Sequence, residues 1–419
     1  MISKPYFRDL PSLATALFAV SLAIASTSPA QETGGTRIGG VNKPDPTQSR
    51  RALRSTYGLR KNPLRHAKRG EIISELGGSA ETEAAAVKAL DWFTLTQKEN
   101  GRWSETQSDV AHTGLVILCY LSYGVKPDDE TEHGQALAEG LTWLVKQVPE
   151  NGNMRDGGRM YGQAIGTLAL GEAAGITQLE KFYQPLERAV AFLCRAQNPK
   201  SGGWRYQPHP SSDAGDLSVT GWVIMALRSA EMAGVRVPAK NLGPAREFLN
   251  TVSAGQHKGF YGYKDSVPKP SMTSVGMYCQ QLYGSKPDEE RQIDSAKFLA
   301  TRMPATAQKD YYYWYYGCLS MFLHGGKQWQ EWNAKMKPIF LKKQQANGTW
   351  KPEGRRAKKE GTTITTAWAT LSLTVYYRYL PMIKGYTRQS VVNTKTGGST
   401  FGLRKQRPGS QRSNTTKNR

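Results

Sequence analysis

Between residues 82 and 383 the chain alternates two kinds of apolar segment. Segments such as GLTWLVKQ (140–147) and AVAFLCRAQ (189–197) space their apolar residues three and four apart, with polar residues between. That spacing gathers the apolar side chains on one stripe and predicts half-exposed helices. DVAHTGLVILCY (109–120), DLSVTGWVIMAL (216–227), DYYYWYYGCLSM (310–321) and TTITTAWATLSL (362–373) are apolar nearly all round. They predict helices buried on every side. Residues 201–227 show how the two kinds join. A Gly-Gly-Trp turn, 202–204, ends the first helix, a loop rich in Pro, Ser and Asp follows, and Asp216 opens the second.

This unit recurs. The aromatic residues of the first helices fall at Trp92, Trp143, Phe192, Phe248, Phe298 and Phe340, at intervals of 51, 49, 56, 50 and 42. A period near 50 residues is the signature of a repeat architecture. Three repeats share a tight turn: Gln97 with Gly101 and Trp103, Gln197 with Gly203 and Trp204, Gln345 with Gly348 and Trp350. The second repeat keeps Gln147 and Gly152 without a Trp, the fourth has Gly259-Phe260-Tyr261, and the fifth lacks the turn. Gly permits the backbone geometry that ends a helix, and a buried indole N–H there needs a partner. Buried second helices and half-exposed first helices imply an inner ring inside an outer ring. The predicted fold is therefore all-α, an α/α toroid of six helix pairs.

Composition adds the flanks. The 419 residues carry a formal net charge of +22. Residues 31–70 hold ten Lys and Arg against Glu32 and Asp45, and 384–419 hold nine with no acid. Both read as a disordered basic linker and a disordered basic tail. The body, 71–383, keeps 35 basic and 31 acidic residues. Charge carried by the flanks predicts attraction to anionic surfaces and no specific nucleic-acid groove. Lys4, Arg8, the apolar run Leu13 to Ser26 and Ser28-Pro29-Ala30 predict a secretory signal, 1–30, cleaved near Ala30. The alternative is an uncleaved anchor. No later segment reaches transmembrane length, so the expected protein is secreted or periplasmic. Cys119, Cys194, Cys279 and Cys318 are too few for a disulfide scaffold and read as buried small apolar residues.

Over about 300 residues, 82–383, the chain resembles the prenyltransferase and squalene-oxidase repeat family, whose fold is the α/α toroid. Its Gln…Gly-x-Trp turns resemble the QW motifs of squalene–hopene and oxidosqualene cyclases. One fold hosts several functions, so the resemblance implies the toroid more than an activity. Triterpene cyclases of the family carry Asp-x-Asp-Asp-Thr after such a Gly-Gly-Trp turn, and the middle Asp starts cyclisation by giving a proton. Here the stretch is Asp216-Leu217-Ser218-Val219-Thr220. Ser218 stands at the middle acid, and a hydroxyl cannot protonate an alkene. Asp213 and Asp216 remain as candidate acids. Asp109, Asp216 and Asp310 also sit at helix starts, where a carboxylate caps backbone N–H groups.

Protein prenyltransferases of this fold hold zinc with Asp, Cys and His. Tyr313 occupies the His position here and no Asp-x-Cys accompanies the four cysteines, so neither metal nor cofactor is expected. The thioester sequence Gly-Cys-Gly-Glu-Gln of the complement toroids is absent. No paired-carboxylate pattern supports a glycosidase. Six consecutive aromatics, Tyr311 to Tyr316, place some rings toward the axis of the toroid. Asp109, His112, Ser218, Trp222, Asp310, Tyr312, Tyr313, Tyr316 and Trp368 are the candidate cavity lining. An aromatic cavity suits an isoprenoid or other apolar ligand. Three functions stay open: a toroid that binds such a ligand, a terpene-cyclase or prenyltransferase-type enzyme with a displaced acid, and a cell-envelope interaction scaffold.

Overall fold

The computed structural model describes residues 69–378 apart from 155, 157–158, 209–213 and 306–308. The expected signal segment, nearly all of the linker, the basic tail and Asp213 lie outside the described residues. A short helix, α1 (Arg69–Glu75), begins two residues inside the stretch expected to be linker. Arg69 ties it down, pairing with Glu83 at 2.9 Å and donating to the Tyr123 carbonyl at 3.3 Å.

Helix pairs follow: α2 (Ala80–Thr96) with α3 (Asp109–Tyr123), α4 (Glu132–Lys146) with α5 (Arg159–Thr177), and α6 (Tyr183–Arg195) with α7 (Leu217–Met232). Then come α8 (Ala239–Thr251) with α9 (Pro270–Leu282), α10 (Glu290–Ala300) with α11 (Tyr311–His324), and α12 (Gly326–Lys343) with α13 (Gly354–Leu373). A one-turn helix, α14 (Val375–Arg378), ends the described chain. The second members α3, α5, α7, α9, α11 and α13 pack in that order, and α13 returns to α3. They form a closed inner ring, with the first members outside it. This is the α/α toroid that the periodicity predicts. In α7 every residue from Leu217 to Leu227 is buried, whereas α6 buries only a stripe that includes Leu186, Ala189, Val190 and Leu193.

The turns explain why Gln, Gly and Trp recur. Each indole N–H donates to a carbonyl of the outer helix it closes: Trp103 to Phe93 at 2.7 Å, Trp204 to Leu193 and Trp350 to Phe340 at 2.8 Å. The backbone N–H of each Trp reaches the inner helix, at the hydroxyls of Thr113, Thr220 and Thr366. The turn thus fastens both members of its own pair. Gly101, Gly202 and Gly348 adopt φ of 88°, 75° and 88°. A Cβ on Gly202 would come within 2.2 Å of the Pro244 carbonyl, and one on Gly348 within 2.2 Å of Lys88. Glycine is required both by the left-handed backbone and by close approach to the next outer helix.

The glutamine amides join neighbouring repeats. Gln97 donates to Gly101 O and to Ala136 O, both at 2.8 Å. Gln197 donates to Gly202 O at 2.8 Å and Asn241 O at 2.9 Å. In the sixth repeat the donor is Gln344, to Gly348 O at 3.0 Å and Ala85 O at 2.7 Å. The side-chain oxygen of Gln345, the residue the spacing predicts, accepts from Thr349 Oγ1 at 2.9 Å within its own turn. The amide spans the turn to a Gly four or five residues on, which puts Gln344 and not Gln345 in reach of Gly348. Gln344 to Ala85 is one of the bonds that close the ring. Gln344→Ala should therefore lower stability by about 1–3 kcal/mol, the cost of unsatisfied buried carbonyls. Gln345→Ala should stay within about 0.5 kcal/mol. Chemical denaturation midpoints of the two variants check this, and equal effects would contradict the bridging role.

Repeats without the full motif fill the same positions by other means. In the second, the Gln163 side chain accepts from Met154 N at 2.8 Å and donates to Gly152 O at 2.9 Å. In the fourth, Ser253–Ala254 pairs antiparallel with Phe260–Tyr261, and Tyr261 takes the place of Trp, its N–H donating to Thr273 at 3.1 Å. All four cysteines are free thiols. Cys119, Cys279 and Cys318 are buried and Cys194 half-buried, where burial pushes its thiol up to about 11.

Candidate functional site in the mouth of the ring

The loops before α3, α5, α7 and α9 each cap the inner helix of the preceding repeat. Glu105 accepts from Thr362 N and Thr363 N of α13 at 2.8 and 2.7 Å. Asp156 accepts from Ser108 Oγ at 2.8 Å and Val110 N at 3.3 Å, at the start of α3. The Tyr206 carbonyl takes Met160 N of α5, and the Tyr263 carbonyl takes Leu217 N of α7. These bonds require the inner helices to start at one end of the ring. That end is a polar mouth, where the N-terminal dipoles favour carboxylates.

Asp216 is its most enclosed acid, fully buried at the N-cap of α7. Its Oδ1 accepts from Ser218 Oγ at 2.6 Å and from Val219 N at 2.9 Å, and its Oδ2 pairs with Arg205 at 2.5 Å. Ser218 spends its hydrogen on Asp216, so Tyr161 must donate to Ser218, at 2.5 Å. Arg205 continues the chain to Tyr263 OH at 2.7 Å, and Tyr263 meets Tyr206 OH at 2.6 Å. The guanidinium lies 3.9 Å over the Tyr206 ring. Burial holds the Tyr161 phenol well above its ordinary range, and the nearby Tyr312 and Asp216 push the same way. Burial likewise raises Tyr263, helped by Tyr206 and Asp216. Around Asp216 the mouth is therefore a chain of donors that ends on this carboxylate.

Below the mouth the interior is aromatic. Trp222 of α7 stacks on Tyr315 at 5.8 Å and meets Tyr316 edge-on at 5.5 Å, both from α11. Helices α7 and α11 are separated by α9 in the ring, so these side chains meet across its interior. Tyr316 also touches Tyr312 at 4.9 Å and donates to Met225 Sδ at 3.4 Å. Tyr312 meets Trp368 edge-on at 5.7 Å, and the exposed Arg356 lies 4.0 Å over the Tyr312 ring. Tyr312 OH and Trp368 Nε1 are buried without a hydrogen-bond partner. His112 Nδ1 lies 2.7 Å from the Ser108 carbonyl and donates to it, and His112 Nε2 is also buried and unpartnered.

Of the residues the sequence predicts for a cavity, Ser218, Trp222, Tyr312, Tyr316 and Trp368 are brought together. Asp109 is not. It lies within the first turn of α3, half-exposed, and pairs with Arg102 at 3.1 Å, while Asp156 does the capping. Asp310 caps its own helix by accepting from Tyr313 N at 3.1 Å. Tyr313 points outward, edge-on to Trp332 of α12, its hydroxyl donating to Arg302 O at 2.8 Å. The site also contains Arg205, Tyr206, Tyr263, Tyr161 and Arg356, none of which the sequence reading singles out. Arg205 and Tyr206 directly follow the Trp204 turn. That adjacency is the one signal that could have found them.

No family model matches the chain, and no curated protein matches it. Among solved structures it is similar to the GH76A α-1,6-mannanase of Salegentibacter sp. HEL1_6, with a TM-score of 0.51 and 10% identity over 71% of this chain and 99% of that one. The type II terpene cyclase MstE from Scytonema aligns with a TM-score of 0.49 and 13% identity, over 73% and 99%. A protein from Actinoplanes aligns at 0.46 and 15%, over 70% and 99%. At such identity the mannanase likeness is one of fold. The chain is an α/α toroid, and its function has to be read from its own residues. Among the described residues no helix is long and apolar enough to cross a membrane.

Proposed function

We propose that this exported toroid binds an isoprenoid-like molecule bearing a hydroxyl group and does not transform it. One observation carries the reading. Tyr312 and Trp368 touch each other in the aromatic interior, and each keeps a buried polar atom without a partner. An unsatisfied buried donor costs about 1–3 kcal/mol, so two on adjoining rings call for an oxygen between them. A hydroxyl supplies it, and the surrounding rings offer apolar and π surface to the rest of the ligand. Arg356, over Tyr312, is the side chain such a ligand has to displace.

The mouth argues against proton-initiated cyclisation. Ser218 stands where the family's acid belongs, and Asp216 is consumed by a guanidinium, a hydroxyl and an amide. A second reading, an envelope interaction scaffold, is favoured by a different fact: Trp222 and Tyr316 already meet across the ring, which limits the depth left for a ligand.

Titrating the purified protein with a polyprenyl alcohol, against the matching hydrocarbon, tests the proposal. The alcohol should change the tryptophan fluorescence saturably. Tyr312→Phe should weaken it by up to about tenfold, the worth of one hydrogen bond. Gas chromatography should recover the alcohol unchanged. Cyclised product would overturn the non-catalytic reading. No saturable signal, with no lipid co-purifying, would leave the scaffold.

A further inference from the structure

We propose that His257, Glu290 and Asp294 form a divalent-metal site that fastens the fourth repeat to the fifth, with Zn2+ as the ion its ligand chemistry suits. His257 stands in the turn of the hairpin between Ala254 and Phe260, and Glu290 and Asp294 lie one helical turn apart at the start of α10. Residues four apart share a helix face. One ligand atom from each lies within 4.8 Å of the other two.

The spacing suits an ion. Ligand atoms about 2.1 Å from one metal stand roughly 3.0–3.4 Å apart when they are neighbours in octahedral or tetrahedral coordination. His257 Nδ1 and Asp294 Oδ2 are already 3.0 Å apart. Glu290 is exposed, and one of its carboxylate oxygens lies within 4.8 Å of the other two ligand atoms. Imidazole with two carboxylates is a nitrogen and oxygen set that Zn2+ accepts, with water completing the shell. The half-exposed His257 and Asp294 leave room for that water.

The site also joins two repeats with no turn-glutamine bridge between them among the described residues. In three repeats a Gln amide ties the turn to the next outer helix. In the fourth repeat Ser253, five residues after Phe248, donates its hydroxyl to Asn250 O of its own helix at 2.8 Å. The hairpin is held to α10 by Ser295 Oγ on Gly259 O at 2.6 Å and by the His257–Asp294 pair. A metal at that pair would replace the missing amide bridge.

The test uses the full chain after dialysis against a chelator, titrated calorimetrically with Zn2+, with Co2+ absorption as a second readout. One ion per chain is expected at this site. His257→Ala and Asp294→Asn should each weaken it by about tenfold or more, as loss of one ligand in three implies. His133→Ala should leave it unchanged, since His133 pairs only with Asp91, at 2.8 Å. Zn2+ should also raise the melting temperature of the parent protein and of His133→Ala, and not of His257→Ala. Equal heats, cobalt spectra and melting shifts in the parent and His257→Ala would overturn the site, as would no heat above dilution in the parent. His257 and Asp294 would then be an ion pair alone.

Discussion

Trp204→Ala should lower the stability of the ring by about 3–5 kcal/mol, the range for a large aromatic removed from a packed core. The indole is fully buried and its N–H satisfies the Leu193 carbonyl at 2.8 Å. Alanine leaves both a cavity and an unpaired carbonyl at the end of α6, and the two costs act together. The backbone bond from residue 204 to Thr220 survives the substitution, so the turn should keep its path while its packing is lost. Leu95→Ala is the comparison. That side chain is 83% exposed, so its loss should move stability by no more than about 0.5 kcal/mol. Denaturant melts of the two variants decide the matter. A Trp204→Ala midpoint no lower than that of Leu95→Ala would show that the turns do not hold the pairs together.

The same turns mark how far the sequence could be read. Trp103, Trp204 and Trp350 repeat because each satisfies one carbonyl and one hydroxyl within its own pair, over ten to sixteen residues. Short-range demands of that kind leave a pattern in the chain. Gln345 misled by one position, because the amide needs four or five residues to its Gly, and Gln344 has them and faces Ala85 across the seam of the ring. The phase of Tyr311 to Tyr316 was hidden for another reason. Six aromatics in a row carry no polar residue to mark the outer face, so Tyr313 and Tyr312 looked alike until Trp332 and Trp368 were placed beside them. The capping acids were hidden by distance. Glu105 serves Thr362, 257 residues away, and only closure of the ring brings the two together.

Arg205→Met should be as costly as the loss of the indole, about 3–5 kcal/mol, because it leaves the Asp216 carboxylate buried without its cation. Asp216 has no exposure and Arg205 is half-buried, so solvent can repay only part of that loss. Methionine keeps much of the packing over Tyr206, which makes the charge the main variable. Asp216→Asn alone removes the charge but leaves the guanidinium short of a partner, and should cost less. The double variant should be less destabilised than the sum of the singles, since a pair in direct contact does not contribute additively. Thermal melts of the four proteins give the coupling. The result also bears on chemistry. An Asp216 that held its proton for catalysis would lose little when Arg205 is removed, and an additive cycle would reopen the reading in which this carboxyl is the displaced acid of a cyclase. A strong coupling binds Asp216 to the architecture of the mouth and leaves any ligand to the rings beneath it.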